Sequence, residues 1–386
     1  MKALRIFPFI LLFSCMFYAN VVLAVAEIDD NAPVVKLRYD DPSIADDGCM
    51  EAGTLLDNCF TTTSDLVDWI VNTRQPTASS RLIVEIGPGT FGPFELGNNA
   101  GGCWLTLRGS GRKHTIIDSG TATNVMNFTT SCNLDVESLT LKGSAYFIGG
   151  IFVAGGDGTG QTTWSDVEVL ATSYAWTEQC TSSSVKHYWF NSRITAISGA
   201  FTRAYFAECG EHWFFGSEIT SHGNNKAGIA IKTGASEIHV YGSVIRTITD
   251  PGVGGPGNTV TGIEVSSGGE LHIHGTGIDM ISAEANNLKV FDVKSNGKLH
   301  ANVSAYNLDT STGGTITRIS KSSGGHAHAP YLWESHDTPP AVVNVNADGE
   351  DMAVEIAGTD INLLVYNSQC TGNGGPWYNV ALRTCR

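Results

Sequence analysis

The sequence contains no Cys-x-x-Cys pair, which removes the usual basis for a zinc ribbon or a dithiol redox centre. Basic residues are scarce: 23 Lys and Arg stand against 38 Asp and Glu, a formal net charge of −15. A surface this acidic repels nucleic acid and anionic membranes, both of which call for clustered Lys and Arg. Beyond residue 26 no long apolar run remains, so no membrane span is expected in the mature chain. After residue 80 no stretch sustains the i, i+3, i+4 spacing of an amphipathic helix, and a helical solenoid is excluded.

The one long apolar run lies at the start. Lys2 and Arg5 precede "IFPFILLFSCMFYANVVL", and Ala24-Val25-Ala26 has the small-x-small pattern of a signal-peptidase site. Residues 1–26 therefore read as a secretory signal, with Pro8 and Asn20 arguing against an anchor and bulky Phe13 against lipoprotein processing at Cys15. Removing them takes away two bases and no acid, which moves the charge from −15 to −17. Bare polyanionic sugars are then poor ligands unless a divalent cation bridges them, and no cofactor motif is evident. Eight cysteines remain: Cys49, Cys59, Cys103, Cys132, Cys180, Cys209, Cys370 and Cys385. An even number in an exported chain implies disulfides, and the simplest pairing joins neighbours in order.

What the sequence has in quantity is repetition. "EIHVYGSVIRTIT" at Glu237–Thr249 is followed by "ELHIHGTGIDMIS" at Glu270–Ser282. Apolar-x-apolar landmarks recur at Leu139/Leu141, Val167/Val169, Ile194/Ala196, Ile219/Ser221, Ile245/Thr247, Ile278/Met280, Tyr306/Leu308 and Ile361/Leu363. Subtracting first members gives steps of 28, 27, 25, 26, 33, 28 and 55, the last close to two steps. Short period-two strands at such a step, with 44 glycines and 12 prolines for corners, describe a coiled stack of parallel strands. Cys103 to Cys132 and Cys180 to Cys209 are each 29 apart, about one coil, so each pair is expected to staple neighbouring coils. "DPGVGGPGN" at Asp250–Asn258 and the stretch Ser322–Pro340 read as insertions.

Upstream, "SDLVDWIVNTR" opens on a Ser/Asp cap and puts Leu66, Val67, Ile70 and Val71 on one helical face, suited to plug the open end of the stack. "LIVEIGPGTF" and "WLTLRGSGRKHTIID" follow. This series of capping helix, strand, PGTF turn, LTLRGSG-type strand and TIID strand resembles the start of pectin-lyase-like right-handed parallel β-helix proteins. By motif the resemblance covers residues 60–150, and by period the rest. It implies an all-β, right-handed, single-stranded parallel β-helix over 81–368, with an N-terminal segment and capping helix at 27–80. Cys370 and Cys385, which enclose "TGNGGPWYNVALRT", read separately as a disulfide-closed cap at 369–386. The fold carries lyases, hydrolases, esterases and inert adhesins alike. The motif sets of polygalacturonases, pectate lyases and pectin methylesterases are not matched here.

Side chains alternate along a strand, so Ile238, Val240, Leu271 and Ile273 are expected inside. Three outward columns follow: Lys186, Glu211, Glu237, Glu270, Lys298; Tyr188, Trp213, His239, His272, His300; and Phe190, Phe215, Tyr241, His274, Asn302. They require Trp189 and Phe214 to be buried, since a one-residue slip would invert them. Such a face can be ordinary solenoid surface. It can also bind glycan, with Trp213, Phe215, Tyr241, His274 and His300 offering rings or polar atoms to sugars. In a third, catalytic reading, Glu237 and Glu270 lie about 5 Å apart, as in retaining glycosidases, with one raised carboxyl as acid. His239 or His272 would alternatively act as a base beside a uronate. Binding protein, polysaccharide lyase or hydrolase, and purely structural or adhesive protein all stay open, and the sequence assigns no oligomeric state.

Remaining motifs point to little. "GGDGTG" at Gly155–Gly160 reads as a turn, and "HAH" at His326 and His328, with His336 nearby, as solvated loop histidines rather than a metal site. Asn127 and Asn302 open N-x-[ST] sequons.

Overall fold

A computed structural model describes residues 59–310 except for loops at 98–102, 144–149, 156–157, 181–183, 198–201, 224–228, 250–258 and 283–286. Residues 34–37, 50–51 and 54–55 and separate segments between 316 and 385 are also described. The expected signal, Cys49, Cys370, His336 and the Asp250–Asn258 insertion lie outside the described residues.

The chain winds as a parallel β-solenoid with three strands per coil. The first face stacks Trp104–Gly109, Asn133–Glu137, Gln161–Ser165, Lys186–Phe190, Glu211–Phe215, Glu237–Tyr241, Glu270–His274 and the start of Lys298–Thr310. The second carries Thr115–Asp118, Thr140–Gly143, Glu168–Ala171, Arg193–Ile197, Glu218–Gly223, Val244–Thr249 and Gly277–Ser282. The third runs from Phe94–Glu95 through Tyr174–Glu178 and Arg203–Ala207 to Val343–Asn346. No helix among the described residues is long and apolar enough to cross a membrane.

The repeated phrase now has a physical reading, position by position. Its apolar members fill two inner columns, among them Leu134, Ile238, Leu271 in one and Val136, Val240, Ile273 in the other, all fully buried. Its glycine turns the corner between first and second faces with positive φ: Gly216 at 58°, Gly242 at 54°, Gly275 at 57°. Earlier coils take the same left-handed corner with Ser138, Asp166 and Asn191, which lack that freedom. The hydroxyl after the glycine faces inward and binds the backbone. Ser192, Ser217, Ser243 and Thr276 each donate to the carbonyl two residues back.

Two details differ from the sequence reading. Val169, not Val167, stands over Ile194, so the landmark slips by two residues there; being even, the slip leaves every side chain on its face. Leu363–Tyr366 pairs antiparallel with Met352–Ala357, so the last landmark adds a hairpin and not a parallel coil.

The solenoid is closed and stapled as its composition implies. The helix Thr63–Trp69 starts two residues earlier than the Ser/Asp signal suggests, because the Thr62 hydroxyl accepts from the Asp65 amide. Leu66 and Ile70 are fully buried, while Val67 packs partly buried beside them. Cys103–Cys132 joins two coils where each enters the first face, and Cys180–Cys209 joins two where each leaves the third. Their Cα separations of 4.7 and 5.9 Å lie within the usual disulfide range. Cys59 is also disulfide-bonded.

Candidate functional site

The outward columns of the first face fall in register over five coils. Trp189 and Phe214 are fully buried, which sets the parity. Lys186, Glu211, Glu237, Glu270 and Lys298 then stand over one another, as do Tyr188, Trp213, His239, His272 and His300. The third column is Phe190, Phe215, Tyr241, His274 and Asn302.

The ring faces, however, are turned toward one another. In the middle column Tyr188, Trp213, His239, His272 and His300 stack at centroid distances of 4.8, 5.4, 4.6 and 4.7 Å, with planes within 10°. Phe190, Phe215, Tyr241 and His274 stack at 5.2, 5.4 and 5.1 Å in the next. Parallel strands force this: one coil advances about 4.8 Å, close to the spacing of stacked rings. The faces therefore cover one another and the edges meet solvent. A sugar cannot lie flat on a ring within the column; what it meets is a ridge of ring edges and polar atoms.

Polar atoms line that ridge. Glu237 Oε1 accepts from His239 Nε2 at 2.9 Å and lies 3.7 Å from His272 Nε2. Glu270 Oε1 lies 3.0 Å from His272 Nε2 and 3.4 Å from His300 Nε2, and its other oxygen accepts from Lys298 at 3.0 Å. Burial would raise the Glu270 carboxyl, but the Lys298 ammonium holds it below the ordinary value. Glu270 is thus a carboxylate and not a ready proton donor. Burial and the neighbouring His272 push His239 below the ordinary imidazole value despite Glu237. His274 moves the same way, by burial and by His272 and His300.

A second constellation, inside the solenoid, was not foreseen. The first inner column is aliphatic except at three consecutive coils, where Thr162, His187 and His212 replace leucine or isoleucine. Across the lumen Glu178 meets both rings, with oxygens 3.0 Å from His187 Nε2 and 3.1 Å from His212 Nε2. All three are completely buried. Trp164 Nε1 donates to Thr162 Oγ1, which pairs with His187 Nδ1 at 2.7 Å. Trp189 Nε1 donates to Tyr205 Oη, which pairs with His212 Nδ1 at 2.8 Å, and His212 Nε2 also reaches the Cys209 carbonyl. Both rings fit as neutral Nε2–H tautomers, each taking a hydroxyl proton at Nδ1. Burial alone would push Glu178 up, yet the two imidazoles pull it down to about 2. Burial lowers His187. Wrapped by Trp164, Trp176, Trp189 and Tyr205, the triad lacks solvent exposure and is a structural polar core. Its signal was present in the sequence: His187 and His212 share the parity of Trp189 and Phe214, two residues on.

The described residues also form a groove of about 660 Å³ between the capping helix and the first coil, lined by Thr62, Val67, Asn72, Phe91 and Leu96 among others.

No family model matches the chain, and no curated protein does. Among solved structures it is similar to a pectin methylesterase from carrot, at 11% identity and a TM-score of 0.38, over 83% of this chain and 90% of that one. It is also similar to ORF18 of Geobacillus virus E2, at 12% identity and a TM-score of 0.34, over 82% of this chain and 62% of that one. Neither likeness is strong enough to bring a superfamily or an activity with it; the parallel β-solenoid rests on this chain's own strand pairing.

Proposed function

We propose that this is a secreted, disulfide-stapled β-helix that binds extracellular carbohydrate along the first face. The observation that carries the reading is the unbroken outward ridge over five coils, in which ring edges alternate with Glu, His and Tyr polar atoms. An extended polysaccharide lying along the solenoid axis would meet hydrogen-bonding groups at every coil, with apolar ring edges between them. The net charge of −15 favours a neutral glycan over a polyanionic one. Binding without cleavage is the better-supported form, because Lys298 holds Glu270 as a carboxylate and so removes it as the proton donor.

Incubation with a polysaccharide panel tests this, reading both retention and the appearance of new reducing or unsaturated ends. Retention without new ends is expected. New ends lost in both Glu237→Gln and Glu270→Gln would make the protein a lyase or hydrolase instead.

A further inference from the structure

The histidine row has a property that carbohydrate binding does not require. Five donor atoms alternate along it: His239 Nε2, Glu237 Oε1, His272 Nε2, Glu270 Oε1 and His300 Nε2. Consecutive members lie 2.9, 3.7, 3.0 and 3.4 Å apart. A tetrahedral ion with metal–donor bonds of about 2.1 Å sets its donors about 3.4 Å apart, which these contacts bracket. Because the rings are stacked with nearly parallel planes, two imidazoles reach one ion by turning about χ2 until their Nε2 lone pairs converge. Within each of the sets Glu237/His239/His272 and Glu270/His272/His300, the ligand atoms lie within 4.8 Å of one another. All are partly exposed, so an ion can reach them from solvent.

We propose that the first face binds one first-row divalent transition metal ion, of the Zn2+ or Cu2+ class, between His239 and His300. The chemistry of the donors selects the class. Imidazole nitrogens with one carboxylate suit zinc and copper, whereas calcium and magnesium demand shells of oxygen. The site is anchored on strands, and the His239 ring is steadied on its far side, where Nδ1 lies 3.5 Å from Tyr241 Oη. The two sets overlap in His272, whose Nε2 has a single lone pair to give. The row therefore holds one ion at a time on either set, with His272 indispensable and His239 and His300 alternative. This inference stands independently of the carbohydrate reading.

Calorimetric titration of the full chain with Zn2+ and Cu2+, and with Ca2+ as control, tests it. One equivalent of Zn2+ or Cu2+ and no Ca2+ is expected. Losing a group that only orients a ligand costs about ten- to hundredfold in metal affinity, so loss of the shared ligand in His272→Ala should weaken binding by more than about 100-fold. His239→Ala and His300→Ala should each keep a weakened site. His272→Gln, which preserves a side chain of similar reach, provides the same reading if the alanine variant does not melt cooperatively. Electron paramagnetic resonance of the Cu2+-loaded wild type should show coupling to at least two imidazole nitrogens. The proposal is overturned if the wild type takes up neither ion, if either His272 variant binds like the wild type, or if the Cu2+ spectrum shows no nitrogen coupling.

Discussion

At the scale of single residues, the buried triad makes the protein acid-sensitive. His187 has a folded pKa below the ordinary 6.5, so as pH falls through that value the unfolded chain takes up a proton the folded chain refuses. Glu178, at about 2 against an ordinary 4.5, adds stability that is present above pH 4.5 and lost on the way down to pH 2. Both signs agree: stability declines with acid, first through His187 and then through Glu178. Thermal unfolding followed by circular dichroism should show the midpoint falling from about pH 6.5 downward. In His187→Gln the upper part of that fall should become shallower, with His239 and His274 still contributing to it. The part below pH 4.5 should shrink but persist, because His212 alone still lowers Glu178. An unchanged slope between pH 7 and pH 5 in the variant would remove the triad from the explanation.

At the scale of the strand, inner and outer positions of one element behave differently, and adjacent residues in Glu237–Tyr241 show it. Val240 is fully buried between neighbours of its column, so Val240→Asp places a lone charge in the core and should cost about 4 kcal/mol or more. Tyr241 faces out, and from sequence alone its removal would be expected to leave stability almost untouched. The structure changes that expectation, because Phe215 and His274 cover its two faces. Tyr241→Ala should therefore cost about 1 kcal/mol through lost stacking, measurable by chemical denaturation. A change below about 0.3 kcal/mol would mean that the stacked columns add nothing to the solenoid.

The strand is also where the limits of the sequence show most clearly. Alternation in "EIHVY" and "ELHIH" was enough to place Glu237, His239, Tyr241 and their partners in correct register, because parity is a purely local property. Whether rings present faces or edges was not legible, since that depends on what the next coil puts 4.8 Å away. Glu178 was equally hidden. Nothing in "YAWTE" marks its glutamate as inward, and its partners His187 and His212 come from other strands. The two-residue slip at Val169 over Ile194 was invisible for a similar reason: both registers keep the same faces inside.

On the scale of the whole molecule, a solenoid converts a local phrase into a long surface. Each coil contacts its neighbours alone, so stability accumulates coil by coil and the outer face is free to carry function. The packed lumen, the helix-plugged end and the two stapling disulfides hold the coils whose outward residues form the ridge. That ridge is the central claim, and affinity electrophoresis through gels containing polysaccharides tests it most directly. At least one polysaccharide of the panel should retard the wild type. The triple change Glu237→Gln, His239→Ala, Tyr241→Ala should abolish the retardation, while Glu168→Gln with Thr195→Ala on the second face should preserve it. Free migration of the wild type through every gel would contradict the account, and so would equal retardation of the wild type and the first-face variant.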